Sequence, residues 1–65
     1  MDVLIVGGGG REHALAWKIA QSSELGALHA APGNPGIAHL GTCHSVRPDD
    51  AEGLVGLGRR LGVDL

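Results

Sequence analysis

The chain has 65 residues, 12 of them glycine and one of them cysteine, and carries a net charge of −2 from five basic and seven acidic side chains. A chain this short buries only about 60% of its unfolded surface, and Cys43 has no second cysteine to pair with, so a reducing, cytoplasmic setting is expected. The weak negative charge and the lack of Tyr and Phe exclude a basic or base-stacking nucleic-acid surface, no stretch nears the roughly 20 apolar residues of a membrane span, and no basic leader precedes the first apolar run.

Residues 2–6 (Asp-Val-Leu-Ile-Val) read as a first strand, apolar on both faces as a central parallel strand requires. Gly7-Gly8-Gly9-Gly10 follow at once, and a helix is expected from Gly10 or Arg11 to about Ser22. Ala14, Leu15, Ala16, Ile19 and Ala20 supply its apolar side, Glu12 suits the positive end of the helix dipole, and Trp17 is expected to pack. Ser22-Ser23-Glu24-Leu25-Gly26 turns the chain back. Residues 27–31 form a second strand, a poor one on propensity because alanine disfavours strands.

Pro32-Gly33-Asn34-Pro35-Gly36 is a loop by composition. A single helical turn over 37–40 and a short third strand over 42–46 are expected next. Asp49 as N-cap with Glu52 three residues later marks the start of another helix. Leu54, Val55, Leu57 and Leu61 give it an apolar side, while Gly53, Gly56 and Gly58 each weaken it by about 0.5–1 kcal/mol relative to alanine. Arg59 and Arg60 suit its last turn, and Gly62 reads as the residue just past its end. Val63-Asp64-Leu65 reads as the start of a fourth strand, so the sequence is expected to be the front piece of a longer protein.

Strands alternating with helices argue an α/β fold with a parallel sheet and right-handed crossovers. Ligands on such sheets bind outside the carboxyl ends of the strands. Both special loops lie there, after the first and second strands. Glycines let a backbone approach a ligand closely, and the first N–H groups of a helix lack intrahelical partners, so the glycine loop is an expected phosphate site. The dinucleotide pattern G-x-G-x-x-G/A fails, because its last position falls on Glu12 or His13 and no acidic residue ends the second strand. The P-loop pattern fails for want of Gly-Lys-Ser/Thr. A ligand-free turn is the remaining alternative, and four consecutive glycines are costly for a mere turn.

Single residues carry less. Arg11 is either a charge-assisted grip on a phosphate or carboxylate or a solvated surface arginine. Glu12 offers an acceptor for a ligand hydroxyl or amine, against simple dipole complementarity. His13 is either a donor to ligand or a packed residue of the first turn. Asn34 reaches for a sugar or simply shapes the turn. His29, His39 and His44 lack metal-ligand spacing, and Cys43 has no adjacent base. No catalytic residue and no metal ligand is assigned.

Residues 3–18, Val-Leu-Ile-Val-Gly-Gly-Gly-Gly-Arg-Glu-His-Ala-Leu-Ala-Trp-Lys, closely resemble the N-terminus of the phosphoribosylamine–glycine ligase family, the glycinamide ribonucleotide synthetases. Gly-Gly-Arg-Glu-His-Ala is highly specific to that family, and Ala31-Pro32-Gly33-Asn34-Pro35-Gly36 repeats its Ala-Pro-Gly-Asn-x-Gly run at the matching distance. Beyond Gly36 the resemblance loosens. It implies an ATP-grasp ligase of purine biosynthesis that joins glycine to 5-phosphoribosylamine through a glycyl phosphate, with ATP converted to ADP and phosphate. It implies that residues 1–65 are part of a Rossmann-like, substrate-side preATP-grasp domain, truncated after the start of its fourth strand. Carried over, Gly9, Gly10 and Arg11 lie at the substrate phosphate or ribose, with Gly33 and Asn34 on the opposing loop. ATP and Mg2+ bind outside this segment, its partners are phosphoribosylamine and the remaining domains of the same polypeptide, and the piece alone is expected to be inactive. The competing reading is a stand-alone mononucleotide- or phosphate-binding module without chemistry; an NAD-dependent oxidoreductase is a third.

Overall fold

Apolar strand runs separated by glycine and proline turns give six elements in the computed structural model, which describes residues 1–63. They are β1 (Val3–Gly7), α1 (Gly10–Ala20), β2 (Leu28–Pro32), α2 (Pro35–Ala38), β3 (Thr42–Cys43) and α3 (Ala51–Leu61). The three strands form one parallel sheet in the order β1-β2-β3. The β1–β2 register runs from Val3 opposite Leu28 to Gly7 opposite Pro32. The fold is thus α/β, of Rossmann-like type, as the alternation of elements requires.

Alanine-rich β2 forms despite its low propensity because its alanines are wanted for size. Ala30 and Ala16 are fully buried, together with Ile5, Leu28 and Ile37, in one core that joins β1, α1, β2 and α2. Two small side chains let the helix layer lie close on the sheet. Ile37 is fully buried and is among the largest such side chains, so it contributes on the order of 1.5–3 kcal/mol by burial. At the other end of the strands, Asp2 Oδ1 accepts the Ala27 N–H at 2.9 Å and Gly26 N donates to Met1 O, which ties the start of β1 to the start of β2.

Several boundaries differ from the sequence expectation, each for a local reason. α1 ends at Ala20, where the Gln21 N–H turns back to Lys18 O and the Ser22 N–H to Ile19 O. β2 sits one residue later than expected and includes Pro32, because Gly7 pairs with Pro32 and Gly33 N then donates to Gly7 O. α2 starts at Pro35, not Ile37: Asn34 caps it by accepting the Ile37 N–H at 2.8 Å, and Pro35 brings a helical φ to its first turn. β3 is two residues long, because Val46 N donates to His44 O at 2.8 Å and so closes a three-residue turn.

Asp50, not Asp49, caps α3: its Oδ1 accepts the Gly53 N–H at 2.9 Å. Asp49 instead pairs with Arg47 at 2.8 Å on the surface. Gly62 ends α3 in the left-handed region with φ of 67°, and the Gly62 and Val63 N–H groups bond back to Arg59 and Gly58 carbonyls in a Schellman arrangement.

Trp17 does not pack; it is 57% exposed, and Leu15 is 51% exposed. Among the described residues the sheet has three strands and covers the Ala16–Ile19–Ala20 stripe of α1, while Leu15 and Trp17, one position to either side of Ala16, lie off it. Among the described residues β1 stands at the sheet edge, not at its centre, with Val6 45% exposed. The expected fourth strand rests on Asp64 and Leu65, which lie outside the described residues.

Candidate functional site

The carboxyl ends of β1 and β2 bring the two special loops into direct contact. Gly33 N donates to Gly7 O at 3.0 Å. The Asn34 side-chain amide donates to Gly8 O at 2.8 Å and, more weakly, to Gly9 O at 3.4 Å. A Cβ on Gly8 would lie 2.5 Å from Gly33 O, a backbone atom that cannot step aside without moving the whole loop. Gly33 has φ of 72°, and a Cβ there would run into Cys43 Sγ. The two loops therefore meet backbone to backbone, and Gly8 and Gly33 are glycines because the fit leaves no room.

Gly9 and Gly10 are different. Gly9 has φ of −90° and ψ of −177°, extended values open to any residue. A Cβ on Gly10 would meet nothing within 4 Å, and one on Gly9 would meet only the Glu12 carboxylate, at 3.1 Å. Nothing in the fold requires these two positions to lack a side chain.

They also open α1, whose N-terminus has no side-chain cap, whereas Asn34 caps α2 and Asp50 caps α3. The first-turn N–H groups of α1 thus have no partner within the helix and lie at the positive end of its dipole. Arg11 stands exposed beside them. Arg11 and Glu12 also line, with Leu4, Val6 and Leu15, a groove along the outer side of β1.

Two side chains that the sequence left ambiguous take definite positions. Glu12, half-buried, folds its carboxylate back over Gly7 and Gly9, where a Cβ on Gly7 would overlap it. It occupies the third position of the helix, from which a carboxylate reaches back toward the N-terminus; that spacing was the available signal. The His13 ring lies against Gly36, so that a Cβ there would collide with it. His13 therefore packs α1 against α2 and makes the small size of Gly36 a packing requirement.

Of the residues singled out from the sequence, Gly9, Gly10, Arg11, Gly33 and Asn34 all lie at one end of the sheet, in unequal roles. Gly9, Gly10 and Arg11 face open space, Gly33 is a contact between loops, and Asn34 turns its amide onto the glycine loop. His29 and His44 lie elsewhere and pair with each other, Nδ1 to Nε2 at 2.9 Å. Among the described residues no three His, Cys, Asp or Glu side chains gather in a way that could hold a metal ion.

The family described as "Phosphoribosylglycinamide synthetase, N domain" matches residues 1–65, the whole chain. The chain is 57% identical over 65 residues to a protein of Caulobacter vibrioides named phosphoribosylamine–glycine ligase. It is 52% identical over 64 residues to a protein of that name from Agrobacterium fabrum, and 40% identical over 65 residues to one from Halalkalibacterium halodurans. The matches cover 98–100% of this chain but only 15% of each relative, so the chain spans about 15% of the length of the curated relatives it matches.

Proposed function

The chain belongs to the phosphoribosylglycinamide synthetase N-domain family, and from that premise we propose that it is the substrate-side portion of an ATP-dependent ligase joining glycine to 5-phosphoribosylamine in purine biosynthesis. Gly9, Gly10 and Arg11 hold the substrate's phosphate or ribose, and Gly33 and Asn34 form the wall across from them. The supporting observation is the division within the glycine run: Gly9 and Gly10 are glycines that the fold itself does not need. They sit beside uncapped helix N–H groups and an exposed arginine, where a bound phosphate oxygen would accept charge-assisted bonds. Glu12, folded over the loop, is placed for the hydroxyls or the amine of such a ligand and not for its phosphate.

ATP and Mg2+ belong, in this reading, to the ATP-grasp part of the same polypeptide. The described residues offer no metal-ligand set, and no chemical step is assigned to them. Their work is binding and orientation, which brings the ribosylamine nitrogen, the nucleophile, to an activated acyl donor held elsewhere. The setting is cytoplasmic. The 65-residue segment on its own is expected to yield no product in an assay with ATP and glycine; product would overturn this division of labour.

Gly10→Ala in the full-length protein tests the site. Its Cβ meets no atom of the rest of this chain within 4 Å beyond its own helix backbone, so folding of this segment should be unaffected. The KM for phosphoribosylamine should rise about tenfold, equivalent to about 1.4 kcal/mol, with the KM values for ATP and glycine unchanged. An unaltered phosphoribosylamine KM would overturn the assignment.

A further inference from the structure

We infer that Asn34 is a positioning residue: it fixes the peptide planes of Gly8 and Gly9 so that the N–H groups of Gly9 and Gly10 face the open side of the glycine loop. The inference rests on the proposed substrate site, but its first readout does not.

An asparagine amide has two donor hydrogens and one acceptor oxygen. Both kinds of capacity are engaged inside the protein. Nδ2 donates to Gly8 O at 2.8 Å and to Gly9 O at 3.4 Å, and Oδ1 accepts the Ile37 N–H at 2.8 Å. The Asn34 backbone carbonyl is held as well, by Ala38 N at 2.9 Å and by Cys43 Sγ at 3.7 Å. One side chain thus joins the loop after β1 to the start of α2, and its backbone is anchored to β3.

The consequence follows from peptide geometry. In a planar trans peptide the C=O and the next residue's N–H point in opposite directions. Drawing Gly8 O toward Asn34 sends the Gly9 N–H away from it. Drawing Gly9 O the same way, helped by the helical bond from His13 N at 3.0 Å, sends the Gly10 N–H away too. Glycine has the widest choice of backbone conformations, so a run of four would otherwise sample many peptide orientations. The Asn34 amide removes that freedom before a ligand arrives, and preorganisation of this kind lowers the cost of binding.

The cap and the tie can be separated by substitution. Asn34→Ser keeps an oxygen acceptor for the α2 cap but is too short, with no second donor, to hold the two glycine carbonyls. Asn34→Asp also keeps the cap and replaces the donor with a carboxylate facing those carbonyls; it supplies the same readouts should Asn34→Ser fail to fold. In the full-length protein, the backbone NMR order parameters of the Gly9 and Gly10 amides are expected to fall in Asn34→Ser toward those of flexible backbone, and the KM for phosphoribosylamine to rise about tenfold. The KM values for ATP and glycine should stay at wild-type levels, a split that a general loss of stability would not produce. Unchanged order parameters at Gly9 and Gly10 would overturn the positioning role whatever the kinetics. Lower order parameters with an unchanged phosphoribosylamine KM would uphold the tie and overturn the proposed substrate site instead.

Discussion

The four glycines after β1 are one residue type under two different demands. Gly8 touches the backbone of the neighbouring loop, with Gly33 O 2.5 Å from where its Cβ would be, and Gly7 has φ of 133°. A Cβ on Gly10 would meet nothing within 4 Å, one on Gly9 only the end of the flexible Glu12 side chain at 3.1 Å, and neither position needs a positive φ. The first pair answers to the fold. The second pair meets no such demand among the described residues, and it is there that the proposed ligand would sit. A glycine-rich loop is therefore not evidence of a ligand as a whole; the evidence sits in the positions whose lack of a Cβ the protein leaves unexplained.

The sharpest way to break that comparison is to add a methyl group on each side of it. Gly8→Ala forces a Cβ against the Gly33 carbonyl, in a loop that three hydrogen bonds tie to the glycine loop, from Gly33 N to Gly7 O and from the Asn34 amide to Gly8 O and Gly9 O. Overpacking of this kind costs about 1–3 kcal/mol, read as a lower midpoint in thermal or denaturant unfolding. A wild-type midpoint would mean that the loops do not meet as described. Gly33→Ala should behave alike, since a side chain at φ of 72° is strained and its Cβ meets Cys43.

Gly10→Ala should do the reverse. At the first position of α1 an alanine is at least as good a helix former as glycine, so stability should hold to within about 0.5 kcal/mol. The phosphoribosylamine KM should nonetheless rise, as argued above. A variant that damages binding without touching the melting curve, set beside one that damages the melting curve first, would separate the two halves of the run. If Gly10→Ala instead destabilised the protein as much as Gly8→Ala, the division would fail.

Much of this arrangement is readable in the sequence, because punctuation and hydrophobic pattern determine it. The apolar run before Gly7 and the Pro32–Gly36 cluster mark two strand ends, and a parallel sheet brings such ends together. The finer assignments are not readable, because they depend on where single groups point. The direction of the Asn34 amide follows from β2 pairing through Pro32, which carries the next loop across to Gly8. The brevity of β3 comes from one backbone bond, Val46 N to His44 O. Trp17 reads as a core residue by type, yet the sheet has three strands among the described residues, and Trp17 remains on the surface.

Neighbouring aspartates repeat the lesson of the glycines on a smaller scale. Asp49 and Asp50 are identical in type and adjacent, and spacing alone favours Asp49 through its match to Glu52. The backbone decides otherwise. Asp50, with φ of −92° and ψ of 83°, holds the Gly53 N–H, while Asp49 meets Arg47 with both side chains largely exposed, at 68% and 81%. Loss of a cap oxygen costs about 1 kcal/mol, and an exposed ion pair contributes little because water and salt screen it. Asp50→Ala should therefore lower the unfolding midpoint, most visibly in the helical signal of glycine-weakened α3. Asp49→Ala should leave the midpoint nearly unmoved and insensitive to added salt. Equal effects from the two substitutions would show that position along the chain, and not the direction of a single side-chain oxygen, sets the start of α3.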